Sequence, residues 1–106
     1  MIIVKLVEHN EAFFDAIDED DDEVAEALKA HYAMMERLKE EGKFLGGYYL
    51  PGEDRSIQVF NFENEAEADK NFLEDPMSRI FDAEYHVGLP ILEHIKRVLD
   101  IVPDSE

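Results

Sequence analysis

The segment 55–62 constrains the fold more than any other, because it has the alternation of a strand and carries bulky apolar residues on both faces. Ile57 and Val59 fall on one face of a strand with this period of two, whereas Phe60 falls on the other. A strand that carries bulky apolar side chains on both faces must be covered on each side. We therefore predict that 55–62 is a central strand in a sheet with two buried faces.

The remaining segments follow in the order strand, helix, strand, strand, helix, strand. The predicted strands are 1–7, 43–50, 55–62 and 82–88, and the predicted helices are 23–42 and 64–75. This order is that of the ferredoxin-like split βαβ unit, an α+β fold in which two helices cover one face of a four-stranded antiparallel sheet. The simplest cover for the other face is a second copy of the chain, which predicts a homodimer with C2 symmetry through the sheet face.

An amphipathic pattern in 23–42 indicates the longer helix and places one ionisable group on its apolar side. Gly42 follows the last turn and can close the helix in a left-handed conformation. His31 lies at the middle of the apolar stripe, which makes it either a core histidine bonded to a neighbour or a functional group. The stripe consists of Val24, Leu28, His31, Met35 and Leu38.

Asp75 gives His31 a candidate partner. Asn64 can cap the second helix, and the pair Asp75 and Pro76 ends it, because the residue before a proline is pushed out of helical geometry. Both helices lie on one side of the sheet, so the two side chains can converge near one of its ends. A carboxylate held against the imidazole would fix its tautomer and make the pair a general acid/base candidate. The alternative for Asp75 is a side-chain cap of the turn that follows.

Charge and composition restrict the partners. The 106 residues are enough for one domain, 1–106, and their net charge of −17 repels phosphate backbones and anionic lipids, so we expect neither nucleic-acid nor membrane partners. No cysteine is present, and no segment has the features of a signal peptide or a membrane span, so we expect a cytoplasmic protein. The acidic run 18–23 indicates that the insertion 9–22 is a solvated loop. Calcium binding is disfavoured, because Glu23 and Lys29 stand where the calcium loop needs glycine and glutamate.

The sequence contains no recognisable cofactor or metal motif. The four histidines form no metal-binding spacing, and there is no P-loop, no dinucleotide fingerprint and no nucleophile elbow. We therefore expect no cofactor and no metal. The tail 89–106 is predicted to form an additional C-terminal helix, whose apolar stripe needs a partner surface such as the second subunit or a sheet edge.

Two stretches resemble the YCII-related family. The segment 31–47, HYAMMERLKEEGKFLGG, resembles that family's first helix and second strand, with the family's spacing between a histidine and a glycine at His31 and Gly42. The segment 65–77, EAEADKNFLEDPM, resembles its second helix and Asp-Pro signature, and 79–85 resembles its last strand. The resemblance implies a dimeric α+β barrel with a ligand cleft in each subunit, in which His31 and Asp75 are the active-site pair.

The chain departs from that pattern at two positions. The family usually has an arginine where Leu28 stands, and a proline where Tyr48 stands. The segment 22–32 and the last strand also resemble muconolactone isomerases, which share the barrel and move a proton next to the carbonyl of a lactone.

The resemblance leaves three functions open. The chain is either a hydrolase, lyase or isomerase that uses the His–Asp pair without a cofactor, a protein with muconolactone isomerase-like proton transfer, or a non-catalytic small-molecule-binding or accessory protein. The predicted ligand pocket lies between helix and sheet, and its candidate lining residues, which are otherwise plain core, are Met35, Tyr48, Phe60 and Phe72.

Overall fold

The computed structural model describes residues 1–9, 15, 22–78 and 81–102. The elements are β1 (Ile2–His9), α1 (Asp22–Glu40), β2 (Phe44–Leu50), β3 (Arg55–Asn61), α2 (Glu65–Glu74), β4 (Phe81–Gly88) and α3 (Ile91–Ile101). The predicted ferredoxin-like α+β fold with an added C-terminal helix is confirmed. Most of the predicted acidic loop 9–22 lies outside the described residues.

The four strands form one antiparallel sheet in the order β2-β3-β1-β4. Lys5 lies opposite Gln58 on β3 and opposite Tyr85 on β4, which defines the register of the two pairings that β1 makes. Because side chains alternate along a strand, β1 directs Ile3, Lys5 and Val7 to one face. We call this face, which α1 and α2 cover, the inner face, and the opposite face the outer face.

The core lies between the inner face and the two covering helices. Phe60 is 1% exposed, and its ring meets that of Phe72 from α2 edge-on with 5.2 Å between centroids. Edge-to-face aromatic pairs add stabilisation beyond the apolar area that they bury. The residues of this buried cluster are Ile3, Leu38, Phe60, Phe62, Ala68 and Phe72.

Local signals set the ends of the helices as the sequence predicts. Gly42 has a φ of 75°, and the amide of Lys43 donates to the carbonyl of Leu38, which closes α1 in a Schellman arrangement. At the start of α2, the side chain of Asn64 accepts a hydrogen bond from the amide of Glu67 at 2.9 Å. These caps hold the two helices in place over the inner face.

A β-bulge in β2 changes which side chains face the helices. The register shifts between Phe44 and Gly46, and Gly46 has a φ of 132°. A Cβ atom at Gly47 would collide with the backbone carbonyl of Ile57, so both glycines are required by the backbone. The extra residue reverses the alternation beyond the bulge, and Tyr48 therefore lies on the outer face, opposite Ile57.

The outer face and α3 are the parts of the described chain that lack cover. The central strands present a band of partly buried apolar side chains on this face, namely Ile2, Val4, Leu6, Ile57 and Val59. Tyr48, at one side of the band, is 79% exposed. Among the described residues of α3 none is buried, although the helix is strongly amphipathic.

Candidate active site

The carboxylate of Asp75 occupies a buried position directly after α2. Its backbone leaves the helix with φ −64° and ψ 122°, as expected of the residue before Pro76. The Oδ1 atom accepts a hydrogen bond from the amide of Met77 at 2.8 Å, and Asp75 as a whole is only 3% exposed. The predicted cap of the following turn is therefore present, but it uses only part of the carboxylate.

The imidazole of His31 meets the same carboxylate. Its Nδ1 atom lies 2.8 Å from Oδ1 of Asp75, and the side chain of His31 is 16% exposed. The helix α1 brings the ring over the inner face, while the Asp-Pro turn after α2 brings the carboxylate toward it. The structure thus brings together the two residues that the sequence singles out.

A third charged residue completes this group, and the sequence analysis did not single it out. Lys5, in the middle of β1, is 4% exposed, and its Nζ atom lies 3.6 Å from Oδ2 of Asp75. The ammonium group also lies 5.1 Å from the centre of the Phe72 ring and 5.8 Å from that of Tyr85, within the range of cation–π attraction. The available signal was a lysine at an inner-face position of β1, between the apolar residues Val4 and Leu6.

Burial and pairing act on the ionisation of this group. Burial by itself would raise the pKa of Asp75, but the hydrogen bonds from His31 and the Met77 amide outweigh it, with help from the Lys5 charge, and the pKa lies below its ordinary value. Burial lowers the pKa of the Lys5 ammonium, and the neighbouring Asp75 opposes part of this shift. The carboxylate is therefore held as an anion by partners on both oxygens.

One aromatic ring contacts the imidazole of His31 and belongs to a row of stacked rings. The ring of Phe81 meets that of His31 edge-on at 6.1 Å between centroids. His9 is stacked between this phenylalanine and Tyr49, with centroid distances of 4.9 and 5.4 Å. Burial lowers the pKa of His9, partly offset by the charge of Asp54. We call Tyr49, His9 and Phe81 the aromatic stack; it lies at the end of the inner face nearest His31.

The structure separates the four predicted ligand-binding residues. Phe60 and Phe72 belong to the buried core cluster, and Met35 packs against it. Tyr48 lies on the other face of the sheet because the bulge in β2 reverses the alternation, which corrects its predicted place in the pocket between helix and sheet. Its neighbour Tyr49 takes the inner-face position instead.

The described residues also line surface grooves, of which two bear on the site. One, of about 330 Å³, lies on the outer face at the end of the sheet that contains Glu8 and Asp82. The other, of about 190 Å³, lies between α2 and β4 beside Phe72 and Tyr85. Neither groove is lined by His31 or Asp75.

Within 1–9, 15, 22–78 and 81–102, no cluster of three or more histidine, cysteine or acidic side chains has a geometry that could hold a metal ion. In the same part of the chain, no helix has both the length and the apolar content that a membrane crossing requires.

The sheet and helices define an α+β fold of the ferredoxin-like type, and this fold is shared with a solved enzyme structure. The chain is similar to 5-chloro-2-hydroxyhydroquinone dehydrochlorinase from Burkholderia phenoliruptrix AC1100, solved in complex with 2,5-dihydroxybenzoquinone. The two chains are 17% identical with a TM-score of 0.61, and the match covers 84% of this chain and 94% of the other. At this identity the likeness establishes the fold alone. No family model and no curated protein matches the chain.

Proposed function

We propose that this protein is a small-molecule enzyme that needs no cofactor, with His31 as its general acid/base and Asp75 as the residue that orients it. The observation that carries the proposal is the 2.8 Å contact between Nδ1 of His31 and Oδ1 of a buried carboxylate. Buried carboxyl groups with a shifted pKa, as at Asp75, concentrate at functional sites. The resemblance of 31–47 and 65–77 to the YCII-related family points to the same two residues.

In this proposal each member of the group has its own role, which the contacts between them support. With the proton on Nδ1 donated to Asp75, the Nε2 atom of His31 keeps a lone pair that can accept a proton from a substrate and later return it. Lys5 holds the other carboxylate oxygen and keeps the carboxylate in one orientation. General acid–base catalysis by a group positioned in this way typically contributes about 10²–10⁴-fold to a rate.

A planar, hydroxylated ring compound is the substrate class that these features support. The aromatic stack beside His31 offers ring faces against which a flat molecule can pack. The dehydrochlorinase of similar fold acts on a chlorinated hydroxyhydroquinone and was solved with a dihydroxybenzoquinone. Elimination, hydrolysis and muconolactone isomerase-like proton transfer all begin with a base at the reacting centre, and His31 supplies that base in each.

The functional unit in this proposal is a homodimer formed through the outer face. The apolar band on β1 and β3 and the exposed Tyr48 form a surface that the helices of the same chain do not cover. Contiguous apolar surface of this kind commonly marks an interface. A C2 pair would place the two bands against each other and bury both.

Turnover tests the enzyme proposal. The purified protein is incubated with chlorinated and unchlorinated hydroxyhydroquinones and with a muconolactone, and chloride release and ultraviolet absorbance are followed. We expect turnover of at least one compound and a loss of about 10²-fold or more in kcat/KM for His31→Ala. Lys29→Ala, at an exposed position of the same helix, is the matched control and should keep full activity. Equal activity of His31→Ala and the parent protein would refute the assignment.

The second candidate is a non-catalytic binding or accessory protein of the same fold. It is favoured by the two grooves, neither of which is lined by the His–Asp pair, and by Leu28 at the position of the family's arginine. In that case the same compounds bind, as calorimetry would show, but none is converted by the parent protein or by His31→Ala.

A further inference from the structure

The helix α3 exposes an apolar stripe that is too large to remain in water. Leu92 is 78% exposed, Leu99 67% and Val98 42%. An isolated helix of this length is marginal in water, so its stability must come from packing of the apolar side. The stripe consists of Ile91, Leu92, Ile95, Val98, Leu99 and Val102.

The charges on α3 are arranged asymmetrically around this stripe. At 100° per residue, Lys96 lies directly beside Leu92 and Leu99, on the border of the stripe. Glu93 lies on the back of the helix, where its carboxylate is held by Arg97 at 2.9 Å. The side of α3 that needs cover is therefore bordered by a cation, and its acidic groups face away.

The groove of about 330 Å³ on the outer face has the opposite character. Leu6, Leu50 and Ile57 give it an apolar lining. Carboxylates at its border make it predominantly acidic, although Arg55 is also present and pairs with Glu8. The acidic residues that line the groove are Glu8, Glu53, Asp82 and Glu84.

The helix cannot easily fill the groove of its own chain. It leaves the sheet just after Gly88, which pairs with Ile2, whereas the groove lies at the opposite end of β4, where Asp82 pairs with Glu8. The strand is about 25 Å long and α3 about 16 Å, so a helix that turned back from Gly88 would reach Glu84 but would stop short of Glu8 and Asp82 at the far end of the groove. The groove of a second copy has no such restriction.

We propose that α3 of one subunit docks in the outer-face groove of a second copy, with the apolar stripe against Leu6, Leu50 and Ile57 and Lys96 against the acidic border. The inference rests on the homodimer of the proposed function and divides the outer face between two contacts: Ile2, Val4 and Val59 face the partner's band, whereas the groove end with Leu6 and Ile57 receives the partner's helix. A C2 axis makes the contact twice, because each chain contributes one helix and one groove. Exchange of an identical element between subunits is a low-cost route to a dimer.

Engineered cysteines test the exchange in the full chain, which has no cysteine of its own. A chain with Leu99→Cys is mixed with a chain carrying Leu50→Cys, or Glu53→Cys if the first groove variant does not fold. Under mild oxidation we expect a disulfide-linked heterodimer in high yield. The matched control replaces the groove variant with Tyr32→Cys, at a 68% exposed position of α1, which should give little product.

Light scattering on the same samples separates this proposal from the homodimer itself. A dimeric mass without the Leu99–Leu50 or Leu99–Glu53 cross-link overturns the helix exchange and leaves the homodimer intact, whereas a monomeric mass overturns both. Cross-linking of Leu99→Cys chains to each other would instead indicate helix-to-helix pairing and contradict docking in the groove. A cross-link that forms only within a doubly substituted chain, at low protein concentration, would show that α3 packs on its own sheet.

Discussion

The two faces of the sheet are built from the same strands but differ in how far one chain completes them. On the inner face, the apolar rings are packed and the buried charges of Lys5 and Asp75 have partners. On the outer face, the apolar band is only partly buried and Tyr48 is mostly exposed. Because neighbouring residues of a strand point to opposite faces, successive residues of β1 alternate between the packed core on the inner face and the uncovered outer face.

This difference indicates what each face is for. The inner face tolerates a buried ionic group because His31, Lys5 and the Met77 amide together satisfy the carboxylate of Asp75. Among the described residues of the outer face none is a buried charged group, and the apolar side chains there gain stability only when something covers them. We therefore expect substitutions on the inner face to lower the free energy of unfolding of each chain. Substitutions on the outer face and on α3 should instead change the affinity of the dimer.

The largest effect is expected at the buried carboxylate. Asp75→Asn keeps the size of the side chain but leaves the Lys5 ammonium buried without a counter-charge, which should reduce the free energy of unfolding by about 3–5 kcal/mol. Urea denaturation at neutral pH measures this loss. Asp69→Asn, at an exposed position of α2, is the control and should change the value by less than about 0.5 kcal/mol. A loss below about 1 kcal/mol for Asp75→Asn would contradict the buried ionic group.

Two valines on the same strand compare the faces directly. Val7 is 1% exposed on the inner face, whereas Val4 is partly buried on the outer face. Val7→Ala should cost about 2 kcal/mol in unfolding at every protein concentration, because it empties space in the core. Val4→Ala should instead weaken the dimer, so that its cost grows as the protein is concentrated.

Unfolding curves at several protein concentrations, together with light scattering, distinguish these outcomes. If Val7→Ala and Val4→Ala both lower the free energy of unfolding by an amount that does not depend on protein concentration, and the dimer is unchanged, the outer face is not an interface. If the chain is monomeric throughout, the same measurement removes the proposed homodimer.

Much of the fold followed from local signals in the sequence. Asn64, Gly42 and the Asp-Pro pair mark the helix ends through backbone geometry, which depends only on near neighbours. The alternation in 55–62 predicted a central strand, and β3 lies between β2 and β1. The approach of His31 to Asp75 was predicted because both helices cross one face of the sheet. A single-domain chain, a cytoplasmic location and the homodimer stay predictions.

The predictions that failed or were missing depend on geometry that a sequence pattern does not contain. The two glycines after Leu45 suggested a bulge, but not that its extra residue would turn Tyr48 outward and Tyr49 inward. Lys5 was not singled out, because its ion-pair partner, the carboxylate of Asp75, lies 70 residues further along the chain. The surface that covers α3 depends on a partner, and the pattern in one chain indicates only that cover is needed.

A smaller effect is expected on the stability that Asp75 contributes when the pH is lowered. Because the pKa of Asp75 in the folded protein lies below its ordinary value of 3.8, the stability it contributes is complete above that value and is lost as the pH falls through the folded pKa. The difference in unfolding free energy between the parent and Asp75→Asn should therefore be greater at about pH 5 than at about pH 3. Urea denaturation across this range measures it. A difference that stays constant down to about pH 3 would show that the carboxylate is not held as an anion by its partners.

The smallest effect compares two cations on α3. Lys96 borders the apolar stripe, whereas Arg97 lies on the back of the helix and pairs with Glu93. If α3 docks in an acidic groove, Lys96→Gln removes one charge from each of the two symmetric contacts and should weaken the dimer by about 0.5 kcal/mol per contact, which is about 1 kcal/mol in all, or roughly fivefold in Kd. Arg97→Gln removes the same charge from the exposed side and should have a smaller effect.

Sedimentation equilibrium at low salt measures the Kd of both variants. Raising the salt concentration should reduce the Lys96 effect, because screening weakens exposed charge pairs. Equal effects of the two substitutions would mean that the acidic border does not face this side of the helix.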